Sequence, residues 1–259
     1  HHRPYQDSSR ILDIISHNHG RLALVARGSR SVKSRLAGIL RPFLPLRLSW
    51  IPRPGLSTLI GAEMNGAPIS LHGDALMSGY YASELLLKLS HRHDPQPEIF
   101  TAYLRTIENL AVSTNVALPL RHFEMELLRL LGYALNLEYE IETGEPLRSD
   151  TMYEYCVERG PIAIGDSKGS MVFSGHELKA VRNKDFELPD ILNCASRLLR
   201  EVIFFHLGGK ELKSRLIFAR QIVHQLDRAN RFAQEIVNRR KNVFAIEPKN
   251  FPEFRFGTI

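Results

Sequence analysis

The sequence predicts an α+β fold: a small β-barrel or sandwich first, then a helical bundle that carries a small irregular β insert. Three observations predict it. Apolar residues alternate with period two across residues 1–72, they recur with a period near 3.6 from about Leu76, and turn-forming residues crowd among short apolar runs between Thr143 and Lys184. At 259 residues and 44% hydrophobic content the chain can bury sizeable cores. The expected division is 1–72, then 73–215 with the insert at about 143–184, then a helical extension and tail over 216–259.

The first segment justifies strands by parity. In Arg21 to Arg27, Leu22, Leu24 and Ala26 share one face, while Arg21 and Arg27 share the other with Ala23 and Val25. From Phe43 to Trp50, Leu44, Leu46, Leu48 and Trp50 point one way and Arg47 the other, which makes Trp50 a core residue. The stretches RPFLP and IPRPG mark strand ends or edges, and Ser57 to Glu63 supplies a further strand. Between the first two strands lies Gly28 to Gly38, where Arg30, Lys33 and Arg35 are spaced among small residues. Small residues let a backbone approach phosphates closely, and long cationic side chains then reach several at once. The loop lacks the GxxxxGK[ST] spacing of a nucleotide-hydrolysing P-loop.

Helices follow. Tyr80, Glu84 and Lys88 are spaced by four beside Leu85, Leu86, Leu87 and Leu89, until Pro95 and Pro97 interrupt. Ile99, Tyr103, Ile107 and Leu110 form the stripe of a second helix; a third begins near Pro119 and ends at Gly132. The turn-rich region reads as irregular, and the glutamates of EIETGE as a solvated acidic loop. Helical character resumes from Pro189 to His206, closed by Gly208 and Gly209. KELKSR is then a cationic link, and 216–240 reads as another helix.

Charge is divided by position. Residues 1–72 carry ten basic side chains against three acidic, 73–196 eleven against nineteen, and 197–259 thirteen against six. Basic ends around an acidic middle point to a polyanion partner. Enzyme chemistry finds little support. His17 and His19, or His91 and His93 with Asp94, are incomplete metal-ligand sets; Ser174-Gly-His176 is no nucleophile elbow. Cys156 and Cys194 form no CxxC pair, so no four-cysteine zinc site can be built, and both are expected reduced and buried. No apolar run is long enough for a membrane span, and a cytoplasmic chain without cofactor or metal is expected.

Several segments together resemble the RecO DNA repair and recombination mediators of bacteria: RPYQDSSRILDIIS, HGRLALVARGSRSVKSRLAG, PFLPL, GYYASELLLKL, RHDPQPEIFTAYL, LRHFEMELLRLLGYALNL, TGEP and HLGGKELKSR. They stand in family order from His1 to Arg215. The resemblance implies an N-terminal OB-fold barrel, a helical domain, and binding rather than catalysis. The implied work is annealing complementary single strands and, with the partner RecR, helping RecA displace single-strand-binding protein near the nucleoid. The resemblance also implies a chain that starts inside the family's first strand, leaving part of a barrel edge missing, and that groups with zinc-free members. It carries no role to 216–259.

Annealing needs phosphate neutralisation without covalent chemistry. The expected contacts with single- and double-stranded DNA are Arg21, Arg27, Arg30, Lys33 and Arg35, with Arg10 and Arg47 as outer members. Five cations engaged on a single strand imply a slope of log affinity against log salt of roughly −3.5. Aromatic platforms are sparse in this segment, being Tyr5, Phe43 and Trp50. The acidic, Phe-ended tail of single-strand-binding protein needs an apolar pocket rimmed by cations, which Arg121, Met125 and Arg129 could supply. Lys210, Lys213 and Arg215 form a second cationic site for DNA or tail. The alternative is a protein-interaction adaptor whose basic surface binds acidic proteins and no DNA.

Overall fold

The computed structural model describes residues 1–165, 171–215 and 217. The chain divides into two compact units, His1–Ser214 and Arg215–Ile259. The helix expected over 216–240, apart from helical Ile217, and the tail beyond it lie outside the described residues.

The fold is mixed α+β, as the periodicities require. Strands β1 (His2–Tyr5), β2 (Ser9–Ser16), β3 (Gly20–Ala26), β4 (Leu46–Ile51) and β5 (Ser57–Met64) make a sheet of order β1-β2-β3-β5-β4. β1–β2–β3 is an antiparallel meander, β3 meets β5 in parallel, and β5 pairs antiparallel with β4. This is the strand order of a five-stranded Greek-key barrel. The expected barrel is not closed: among the described residues no ladder joins β1 to β4. Proline explains why pairing stops there. Pro4 removes a donor from the four-residue β1, and Pro42, Pro45, Pro52 and Pro54 bracket β4.

Strand parity sorts the sheet as expected. Leu22, Leu24 and Ala26 join Leu12, Leu40 and Leu59 in one core, against which Leu46, Leu48 and Trp50 pack half-buried. A short helix α1 (Arg35–Ile39) lies within the basic segment expected to be loop and contributes Leu36 to this core.

The second core is built by α2 (Gly73–Leu89), α3 (Pro97–Val112), α4 (Ala117–Leu130) and α6 (Pro189–His206). Pro97 and Pro189 open their helices, where a missing N–H costs nothing. The supposed insert is an integral part of the same core. Strands β6 (Met152–Cys156), β7 (Gly160–Ile164) and β8 (Val172–Ser174) form a sheet of order β7-β6-β8, followed by α5 (Gly175–Asn183). Tyr153, Tyr155, Phe173 and Leu178 plug it into the helical core. Glu140 corrects the picture of a solvated acidic loop: it is 7% exposed and accepts from the Thr143 hydroxyl and, at 3.2 Å, from the Ala163 N–H. Those bonds hold its carboxyl below the usual range. Of the cysteines, Cys194 is buried and Cys156 half-buried, and neither is bridged.

The two cores meet at a polar joint. His93 N–H donates to the Arg21 carbonyl at 3.0 Å, and a Cβ on Gly20, whose φ is +63°, would lie 2.0 Å from the Asp94 carbonyl oxygen. Above it an apolar cleft of about 650 Å³ opens between β2, β4 and the α2–α3 pair, lined by Ile14, Leu46, Leu86, Phe100 and Leu104 among others. No helix among the described residues is long and apolar enough to cross a membrane.

Candidate nucleic-acid interface

The outer face of the sheet is read from register. Tyr5 stands opposite Ser9, Ile11 opposite Val25, and Val25 beside Thr58, which faces Ile51. Three connections converge at one end of this face: the β1–β2 turn, the turn after β3, and the β4–β5 loop. Between them lies a cleft of about 570 Å³ lined by Tyr5, Gln6, Ser8, Ser9, Val25, Arg27, Gly28, Arg53, Leu56 and Thr58. Its lining holds two guanidinium groups, one aromatic ring and no carboxylate. Arg27 and Arg53 are exposed, and neither forms an ion pair among the described residues. In a five-stranded Greek-key barrel this position, beside strands 2 and 3 and between the 1–2 and 4–5 loops, is where oligonucleotides bind.

The predicted cations divide by what holds them. Arg27 is at the cleft. Arg30 braces it: its backbone N–H donates to the Ser8 carbonyl at 2.8 Å, and Nη1 donates to the carbonyls of Gln6 at 3.3 Å and Asp7 at 3.4 Å. Lys33 and Arg35 are exposed on the adjoining segment. Arg47 is exposed on β4 but stands opposite Glu63. Arg10 has the inward parity of Leu12 and sits half-buried at the end of the sheet core.

Arg21 departs from this group. Six residues from Arg27, about 20 Å along an extended strand, its Nη1 donates to the Leu87 carbonyl and, at 3.3 Å, to that of Ser90. Its Nη2 lies 3.6 Å from Asp13. Asp13 also attracts Arg92 at 3.9 Å. Arg21 therefore fastens the sheet to the carbonyl end of α2, where a cation is favoured. Shared strand parity does not bring Arg21 and Arg27 together. Sequence reasoning passed over Arg53, because a proline-rich loop gives no sign of which strand end it will face.

The α4 trio is likewise split. Arg121 is 8% exposed and Glu124 wholly buried; Arg121 Nη2 donates to Glu124 Oε1 at 2.7 Å, and the Tyr81 hydroxyl donates to the same oxygen. Arg121 thus belongs to the α2–α4 packing and not to a surface rim. Met125 is half-buried against the helical core. Arg129 is exposed in a two-bond pair with Glu126, at 2.8 and 3.2 Å, which holds the Glu126 carboxyl below its usual range. Of the second cationic group, Lys210 and Lys213 are exposed and Arg215 half-buried. The N–H groups of Lys213 and Ser214 donate to the two oxygens of Glu84, at 3.0 and 2.8 Å. None of the three lines the sheet cleft. Among the described residues no cluster of three or more His, Cys, Asp or Glu could hold a metal ion.

Two family models match much of the chain, Recombination protein O N terminal over residues 1–67 and Recombination protein O C terminal over 71–216. They place it in the class of two-part recombination proteins whose sheet half precedes a helical half. The most similar relatives include the DNA repair protein RecO of Methylococcus capsulatus, 38% identical over 218 residues, covering 84% of this chain and 89% of that protein. Another is the DNA repair protein RecO of Azoarcus, 39% identical over 221 residues, covering 84% and 91%. A third, from Mannheimia succiniciproducens, is 37% identical over 225 residues, covering 86% and 98%. The chain belongs to the RecO family of DNA repair proteins.

Proposed function

We propose that this protein binds single- and double-stranded DNA on the outer face of its sheet and anneals complementary single strands without catalysing a covalent step. With RecR it would help RecA load onto DNA coated by single-strand-binding protein. The observation that carries the reading is the carboxylate-free cleft where Arg27 and Arg53 stand exposed beside Tyr5. Guanidinium groups neutralise the repulsion between two phosphate chains, and a single ring offers a base one stacking surface, worth about 1–3 kcal/mol. Such a site holds a strand firmly at low salt and leaves most Watson–Crick edges available. The exposed Arg129 beside Met125 is the remaining candidate on α4 for the acidic tail, with Arg121 committed to the interior. The exposed Lys210 and Lys213 offer a second polyanion contact.

The test is titration of labelled single-stranded DNA at two salt concentrations, with an annealing assay free of nucleotide and metal. Arg27→Glu with Arg53→Glu should weaken binding at least tenfold and slow annealing in parallel. Unchanged binding in that variant sinks the site. A wild-type chain that ignores DNA at low salt favours the adaptor alternative.

A further inference from the structure

One side chain in the basic segment breaks the rules that its surroundings keep. Val32 is 101% exposed, as open as a side chain in an extended peptide. It stands in a turn closed by the Ser34 N–H on the Ser31 carbonyl at 3.0 Å, where Gly, Pro, Asn, Asp and Ser are the usual residues. The preceding turn is closed by the Ser31 N–H on the Gly28 carbonyl at 3.2 Å, and Arg30 ties the segment to the β1–β2 turn. The loop is thus braced on both sides while its tip carries an apolar group with nothing to pack on. Its neighbours Arg30, Lys33 and Arg35 are exposed cations. Local rules broken without a compensating contact are expected at functional positions.

We propose that Val32 is a wedge that enters between adjacent bases of a bound DNA strand while the flanking cations hold the phosphates on either side. Proteins that deform nucleic acids insert Leu, Ile, Met or Phe between base steps in this way, unstacking them. A β-branched aliphatic group parts two bases without offering them a ring to stack on. The strand is left with one step opened and its pairing edges turned outward, a conformation suited to meeting a complement. This inference rests on the sheet face being the DNA site and adds to it the part that acts on bases.

The experiment uses the full chain and a single strand carrying 2-aminopurine within an adenine run, whose fluorescence rises when the base is unstacked. Each protein is compared at its own saturation, so affinity differences do not enter. Wild type should raise the signal severalfold at the one step reached by the loop; Val32→Leu should keep the rise and Val32→Ser should lose it. Val32→Ser should also slow annealing severalfold, while its melting temperature stays that of wild type because the side chain packs on nothing. A rise in Val32→Ser equal to that of wild type overturns the wedge. So does a wild-type chain that binds the strand with no rise, and in that case the DNA site stands. A wild-type chain that fails to bind at low salt overturns both.

Discussion

Two arginines on one face of β3 do different work, and the difference is set by what lies at each end of the strand. Arg21 meets the last carbonyls of α2 and the Asp13 carboxylate and is 20% exposed, whereas Arg27 faces the open cleft. Arg21→Ala should therefore lower the melting temperature yet leave the slope of log affinity against log salt unchanged. Removing one strand-bound cation such as Arg27 should lessen that slope by about 0.7. The buried pair on α4 answers to different physics. With Glu124 wholly buried, Glu124→Ala strands the Arg121 guanidinium in the helical core and should cost about 3–5 kcal/mol in denaturant unfolding. A cost near zero would mean that Arg121 can reach water and that a surface role for it must be reopened. The sequence could not separate these cases. Spacing by four puts Arg121, Met125 and Arg129 on one side of a helix, but which of them a neighbouring helix covers depends on where α2 lies.

At the scale of elements, what is local was legible and what is convergent was not. Pro189 to His206 is helical over the range its stripe and flanking glycines indicate, and the inward parity of Leu22, Leu24 and Ala26 places the sheet core correctly. α5 was passed over although its start is written in Ser174-x-x-Glu177. The Ser174 hydroxyl accepts from the Glu177 N–H at 3.2 Å and the Glu177 carboxylate accepts from the Ser174 N–H at 2.7 Å, a reciprocal cap. Weak alternation over the short strands β6 to β8 hid the fact that Tyr153 and Phe173 were core residues. The seat of the β2–β3 turn on the α2–α3 connection was also hidden, since it depends on backbone meeting backbone. Gly20 is the position that permits it. Gly20→Ala asks an L-residue to hold φ at +63° and drives a methyl into the Asp94 carbonyl, so the seat must open. The expected result is faster hydrogen exchange at His93, whose N–H is bonded to Arg21, with the amides of the α6 core still protected. Unchanged exchange at His93 would show that the joint does not need this close approach.

At the scale of the whole molecule, two imidazoles shifted by burial lie in the helical half, away from the cleft arginines, so acid should affect stability and binding differently. His122 on α4 packs against Phe186 at 4.9 Å, and His206 at the end of α6 stacks on Tyr133 at 4.1 Å. Burial is the main cause that lowers both imidazole pKa values below 6.5. Lys184 adds to the effect at His122, while Glu187 opposes it there and Glu158 opposes it at His206. A lowered folded-state pKa means the unfolded chain takes up protons first. The stabilisation is complete above about pH 6.5 and is lost as pH falls through the lower folded values. The depressed Glu140 carboxyl extends the same trend into the acid range. Arginine stays charged throughout, so the cleft keeps its cations. Melting temperature should therefore drop between pH 7.5 and pH 5.5, while affinity for single-stranded DNA at fixed ionic strength does not fall until unfolding begins. Circular dichroism melts and anisotropy titrations on the same samples check both halves of the expectation. A melting temperature that rises on acidification would show that the two imidazoles gain more from their carboxylate neighbours than they lose by burial.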